Sequence, residues 1–314
     1  MASKADEVTA ARPRQRAAEW VTHRERGSMT TLRIMTFLSL RLGRKGGRLF
    51  LHLIAAYFFT FAPTARRHAR SYLRRVLGRE PTAADRYRHI LAFATTIHDR
   101  VYLLKDRFDL FDTSIEGEDI VRKAVDAGKG AFLMGSHVGS FEMIRAIGRQ
   151  QPGLRVAMAM YEDNARMVNA MLAAINPQAT TAVIALGHID AMLKIQDALD
   201  HGTFVGVLGD RTLANEASRC IHFLGQPARF PVGAMRAAAI MRRPVIFMIG
   251  VYRGGNRYHV AFESLADFSA VESRQREAAV QAALERYAAL LEQYVRGDPY
   301  NWFNFFDFWR GGDE

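Results

Sequence analysis

The sequence predicts an α/β fold: a mainly parallel central sheet flanked by helices, behind a basic N-terminal region of amphipathic helices. Three observations predict it. From about residue 81 onward, short apolar runs alternate with helix-length amphipathic stretches. Most of these runs are apolar at successive rather than alternate positions, as in strands buried on both faces. Before residue 80, apolar segments lie among arginines instead. With 314 residues, the chain can build a full α/β core and carry an appendage.

The first hundred residues hold 20 of the 43 basic groups and 7 of the 32 acidic ones, and the remainder is close to neutral. Within residues 1–80, Thr31–Leu42 and Leu49–Ala62 are apolar helices in prospect. Arg41, at the end of the first, and Arg44, Lys45 and Arg48 between the two bracket them on one side, and Arg66, Arg67, Arg70, Arg74, Arg75 and Arg79 follow. A helix of about 14 apolar residues is roughly 21 Å long, short of a ~30 Å hydrocarbon core. Such segments suit a helix lying in the headgroup layer, with anionic lipid contributing about 1 kcal/mol per basic residue. The plainer alternative is a buried helix beside a solvated basic one. No zinc-finger spacing or RNP-type motif accompanies the charge, so no nucleic-acid partner is expected. The polar opening residues do not read as a secretory signal.

Residues 81–314 read as the α/β domain. Pro81–Lys105 is predicted as a long helix, with proline in its first turn. Glu118–Ala127 is a shorter helix ending at Gly128. The predicted strands are Ala131–Gly135, Leu154–Met160, Thr181–Leu186, Phe204–Leu208, Pro244–Val251 and Arg257–Glu263. Helices are predicted near 140–149, 163–175, 188–201, 231–242 and 271–295. The last strand alternates, which predicts antiparallel pairing at or near an edge. One cysteine, Cys220, excludes an internal disulfide framework and any multi-cysteine metal site.

The segment GAFLMGSHVGSFE (Gly130–Glu142) carries the chemistry. An apolar strand ends at Gly135, and a polar turn puts His137 where open α/β sheets gather reactive groups. Glu142 follows five residues later, in a first helical turn, from which its carboxylate can reach back to one imidazole nitrogen. That contact would fix the tautomer and leave the other nitrogen basic. With no enzyme nucleophile beside it, such a pair suits deprotonation of an incoming hydroxyl. Ser136 and Ser140 form no G-x-S-x-G elbow, and there is no H-E-x-x-H, P-loop or G-x-G-x-x-G sequence. Neither metal nor cofactor is therefore expected. Alone, the spacing fits a capping glutamate and a structural histidine equally well. The strand FVGVL ends in Asp210–Arg211, which should emerge at the same sheet edge; a turn or cap residue is the alternative. Phe223–Met235 (FLGQPARFPVGAM) could line an apolar slot with Arg229 on its rim, although Phe223 and Phe230 fit core packing as well.

Taken together, SHVGSFE, the GDR after FVGVL, and FLGQPARFPVGAM leading into RRPVIFMIGV resemble the lipid A biosynthesis (lauroyl/myristoyl) acyltransferases of the lysophospholipid acyltransferase superfamily. The resemblance spans Trp20 to Trp309. It implies an enzyme on the cytoplasmic face of a bacterial inner membrane, peripheral, monotopic or shallowly inserted. Its reaction would move a fatty acyl chain from acyl carrier protein, or coenzyme A, onto a hydroxyl or amine of a lipid acceptor. In that role His137 is the general base and Glu142 its orienting carboxylate, and the backbone N–H groups of Val138–Ser140 are available for the oxyanion. Asp210 and Arg211 match the third motif block and Arg166 the second, where the resemblance implies substrate contacts; Arg229 and Phe230, from the slot, are expected to contact substrate as well. The N-terminal arginines would also suit an acidic carrier protein. Trp20–Ser28 and FPVGAM look more like a branch associated with polyketide-like or aryl-polyene lipids. The acceptor thus stays open among a lipid A-like glycolipid, an aryl-polyene lipid, an ornithine or other amino lipid, and a lysophospholipid. A catalytically silent lipid-binding protein would have no reason to keep His137 and Glu142 within hydrogen-bond reach, so a separation of the pair beyond about 5 Å would favour that reading.

Overall fold

The computed structural model describes residues 29–176, 182–212 and 216–309. Trp20–Ser28 and Thr181, the first residue of one predicted strand, lie outside them. Both apolar N-terminal segments fall on one helix, α1 (Met29–Phe61), bent at Gly43, where φ is 69°. Helix α2 (Pro63–Leu77) opens on proline and stops at Gly78 in the left-handed region. Helix α3 (Ala83–Leu103) starts two residues later than expected because Thr82 and Asp85 form a capping box, leaving Pro81 just ahead of the cap.

Seven strands form the main sheet: β1 (Asp112–Glu116), β2 (Phe132–Gly135), β3 (Arg155–Tyr161), β4 (Ala182–Leu186), β5 (Thr203–Leu208), β8 (Pro244–Tyr252) and β9 (Arg257–Asp267). Their order is β1-β9-β8-β2-β5-β3-β4. From β8 to β4 all neighbours run parallel; β9 is antiparallel to β8, and β1 runs parallel to β9 outside it. The alternating strand thus lies one place in from the edge, covered by β1. Strands β6 (Ser218–Phe223) and β7 (Gln226–Pro231) make a separate antiparallel hairpin.

The successive apolar residues of the central strands serve both faces. Leu133 of β2 and Ile246 and Met248 of β8 pack with α4 (Glu118–Asp126) and α5 (Phe141–Gln150). Phe132, Met134, Val245, Phe247 and Ile249 point to the opposite face. There they meet α7 (Ala191–Asp200), α8 (Gly233–Ile240) and α9 (Arg276–Gly297). Helix α6 (Glu162–Ile175) links β3 to β4 and touches α1.

Helix α1 is tied to this body by charge. The Arg44 guanidinium donates to both Asp99 oxygens at 2.8 and 2.7 Å, and the Tyr258 hydroxyl donates to Asp99 at 2.7 Å. Arg48 donates to Tyr252 Oη at 2.8 Å and to the Gly255 carbonyl. Two of the arginines expected beside lipid therefore clamp α1 onto the domain. Gly47 permits the close approach: a Cβ there would stand 2.3 Å from His98 Nε2.

Candidate active site

Strands β2 and β5 are parallel neighbours, with Gly135 opposite Leu208. Two residues beyond each strand come His137 and Asp210, so the pairing register itself brings them together. His137 Nδ1 lies 2.8 Å from Asp210 Oδ1, and the His137 backbone N–H donates to Asp210 Oδ2 at 2.9 Å. The Trp302 indole N–H donates to the same Oδ2 at 2.9 Å. Asp210 is 1% exposed, whereas the His137 side chain keeps 28% exposure.

Burial pushes the Asp210 carboxyl up, but His137, Arg211 and the Trp302 indole more than offset it and hold it well below the usual carboxylate range. An ionised Asp210 can only accept, so Nδ1 carries the proton and Nε2 keeps its lone pair. Burial also pushes the His137 imidazole down; Asp210 pulls it back up and Arg211 adds to the fall, leaving it below its ordinary value of 6.5. Near neutral pH the ring is an uncharged base.

Glu142 does not make the contact expected of it. From the first turn of α5 its carboxylate, 4% exposed, faces along the helix to Arg145 Nη1 at 3.2 Å and Arg149 Nη1 at 3.6 Å. Arg149 in turn donates to the Leu103 carbonyl at 2.9 Å, at the C-terminal end of α3. The long-range partner at the next strand end thus takes the place given to the local one.

The turn after β2 is also more occupied than expected. Gly139 N–H donates to Asn301 O at 2.8 Å and Ser140 N–H to Gly250 O at 2.7 Å. Gly139 has φ 60°, and a Cβ there would stand 2.0 Å from Gly250 O. The Ser140 hydroxyl caps α5 by accepting from Met143 N–H. Val138 N–H donates to no protein acceptor among the described residues.

The other expected site residues divide. Arg211 follows Asp210, is half-buried, and stacks its guanidinium on Phe306 at 5.2 Å. Arg229 sits on β7, and its carbonyl accepts from Thr212 Oγ1 at 3.1 Å, which ties the hairpin to the strand end bearing Asp210. Phe230 is fully buried against Phe223, Tyr287 and Phe308, so its ring is core and lines no slot. Arg166 is exposed on α6 and ion-pairs with Asp163. Among the described residues, no three His, Cys, Asp or Glu side chains gather as metal ligands would. Trp302 was not expected; its only signal was the aromatic-rich run PYNWFNFFDFW after the last helix.

A model of the bacterial lipid A biosynthesis acyltransferase family matches residues 28–311. The chain belongs to that family. Membership makes it an acyltransferase of the lipid A type. A search of curated proteins found no match.

Proposed function

We propose that this acyltransferase moves a fatty acyl chain from an acyl-carrier-protein or coenzyme A thioester to a hydroxyl of a lipid acceptor, lipid A-like or a related glycolipid. The observation that carries this reading is the 2.8 Å contact between His137 Nδ1 and buried Asp210, on a ring whose side chain remains 28% exposed. In the proposed step His137 Nε2 takes the acceptor hydroxyl proton while the oxygen attacks the thioester carbonyl. The tetrahedral oxyanion collapses, the C–S bond breaks, and the imidazolium returns its proton to the departing thiolate. General-base help of this kind is typically worth about 10²–10⁴-fold. Val138 N–H, at the start of the turn, is the backbone donor left for the oxyanion.

Asp210, rather than Glu142, is the orienting carboxylate in this scheme, with Arg211 beside it and Arg229 on the hairpin tied to Thr212 for acceptor or donor phosphate. The His137–Glu142 contact expected to argue against a silent lipid-binding protein is absent, and the argument rests instead on the 2.8 Å contact between His137 Nδ1 and Asp210. The FPVGAM variant keeps aryl-polyene, amino lipid and lysophospholipid acceptors as alternatives.

For location, we propose the cytoplasmic face of a bacterial inner membrane, with α1 in the headgroup layer. Leu49, Phe50, Leu53, Tyr57 and Phe61 on α1 are each more than half exposed, which supports a lipid-facing role. No single helix among the described residues is long and apolar enough to cross a membrane. Ser39–Phe61 with α2 would suffice in length and composition, but the pair is bent by 95°.

The test is incubation of purified protein with radiolabelled acyl-carrier-protein thioesters and total membrane lipid, followed by identification of the labelled product. His137→Ala should abolish labelling. Near-normal transfer by a folded His137→Ala protein would overturn the reading.

A further inference from the structure

The segment after α9 wraps the catalytic turn. Phe303 N–H donates to the His137 carbonyl at 3.0 Å, and the Asn301 carbonyl accepts from Gly139 N–H at 2.8 Å, one bond on either side of Val138. The Asn301 side chain is anchored in turn to both backbone groups of Tyr252, at 2.7 and 2.9 Å. Between these bonds lies Trp302, fully buried, its carbonyl 2.8 Å from His89 Nε2. The Trp302 ring is wedged among Tyr72, Phe223 and Phe308, with centroids 5.0, 5.2 and 4.8 Å away.

We infer that Trp302 is a positioning residue of the acyl-transfer site, its indole N–H fixing the rotation of the Asp210 carboxylate so that Oδ1 faces His137 Nδ1. This rests on the reading of His137 as the general base. Oδ2 is held by two donors, the His137 backbone N–H and Nε1 of Trp302. The backbone donor moves with the turn, so it cannot hold the carboxylate independently of the histidine. The indole can, because packed aromatic rings fix it from outside the turn.

The experiment compares wild type, Trp302→Phe, Asp210→Asn and the double variant. If Trp302 acts through Asp210, Trp302→Phe lowers kcat about 10- to 100-fold with KM little changed, the scale of a hydrogen bond to a charged group. The same substitution then costs almost nothing further in the Asp210→Asn background, because the partner it positions is gone. The charged groups acting on His137 are Asp210 and Arg211. Removing one N–H from Asp210 makes the carboxylate a stronger partner for the imidazolium. The acid limb of kcat/KM should therefore move to higher pH, by about half a unit to one unit.

Trp302→Phe also loses ring volume, so a second variant carries at position 302 the benzothiophene isostere of tryptophan, which keeps the shape and lacks the N–H. An isostere protein with wild-type kcat and acid limb would overturn the inference. So would equal losses from Trp302→Phe in the wild-type and Asp210→Asn backgrounds. The underlying reading is tested separately by His137→Ala, whose activity does not depend on the indole.

Discussion

Replacing Asp210 with asparagine removes one charge and changes almost no volume, so it isolates the orienting function. In the wild-type site the carboxylate accepts three N–H groups, from the His137 ring, the His137 backbone and the Trp302 indole. An asparagine carbonyl can satisfy only part of that set. Its amide N–H₂ would face either a ring nitrogen or another donor. If it faces the ring, Nδ1 becomes the acceptor, Nε2 carries the proton, and the base is lost at the position facing substrate. The same exchange in a serine-protease triad lowers kcat by about 10⁴, so a loss of about 10³–10⁴-fold is expected here. The comparator is Glu142→Gln. Glu142 is bound to Arg145 and Arg149, so this exchange should act mainly on stability. It leaves a mostly buried guanidinium short of its counter-charge, a cost of about 1–3 kcal/mol after allowing for partial exposure. Both variants are assayed for labelled acyl transfer across pH 6–9 and for thermal midpoint. Asp210→Asn within tenfold of wild type, or Glu142→Gln losing more activity than Asp210→Asn at a temperature where both are folded, would refute the assignment of the orienting role.

Other outcomes follow from particular contacts. His137 lies below its ordinary value and works unprotonated, so kcat/KM should fall with decreasing pH through a midpoint under 6.5, with a flat profile above neutrality; a midpoint above 7 would contradict this. His89 is buried and pushed down to about 4 from 6.5. The unfolded chain then binds more protons between those values, so stability should drop by about 2–3 kcal/mol from pH 7 to 4.5. His89→Gln should lack that component in denaturant titrations at the two pH values. Asp99→Asn leaves Arg44 buried without its partner and should lower stability by about 3–5 kcal/mol, read as a thermal shift. Leu49, Leu53 and Phe61 are 72, 69 and 62% exposed, so changing all three to serine should leave the thermal midpoint alone. If α1 lies in lipid, the same change weakens binding to anionic vesicles roughly 100-fold, at about 1 kcal/mol per side chain. Unchanged cosedimentation would exclude this face as the contact.

Strands buried on both faces were legible because nothing but apolar residues can occupy them, and each of the six predicted strands appears. Strand β1 (DTSIE) escaped notice because an edge strand of mostly exposed residues carries no hydrophobic pattern. The β6–β7 hairpin is absent from the predicted elements because its register depends on a tight reversal at Leu224–Gly225, where both residues have positive φ. The same hairpin accounts for Phe230: once β7 forms, its alternate side chains turn inward to Tyr287 and Phe308. In α1 the basic residues looked alike by composition, yet Arg44 and Arg48 pair with groups 55 and 204 positions away.

The site divides along the same line between local and distant information. His137 was readable from one strand and one turn, since any side chain two residues past a parallel strand is delivered to the open edge of the sheet. Its partner was not, because a local carboxylate at helical spacing and a distant one at the next strand end are equally plausible until strand order is known. The order β8-β2-β5 decides it: β5 adjoins β2 in register, so residue 210 stands beside residue 137. Glu142 sits on a helix whose next turns carry Arg145 and Arg149, and a carboxylate flanked by two guanidiniums on its own helix gains more by facing them than by reaching back over the turn. A His-x4-Glu spacing therefore specifies where the histidine sits. The carboxylate that tunes it is set by the register of the neighbouring strand and by the indole brought up behind it from the C-terminal segment.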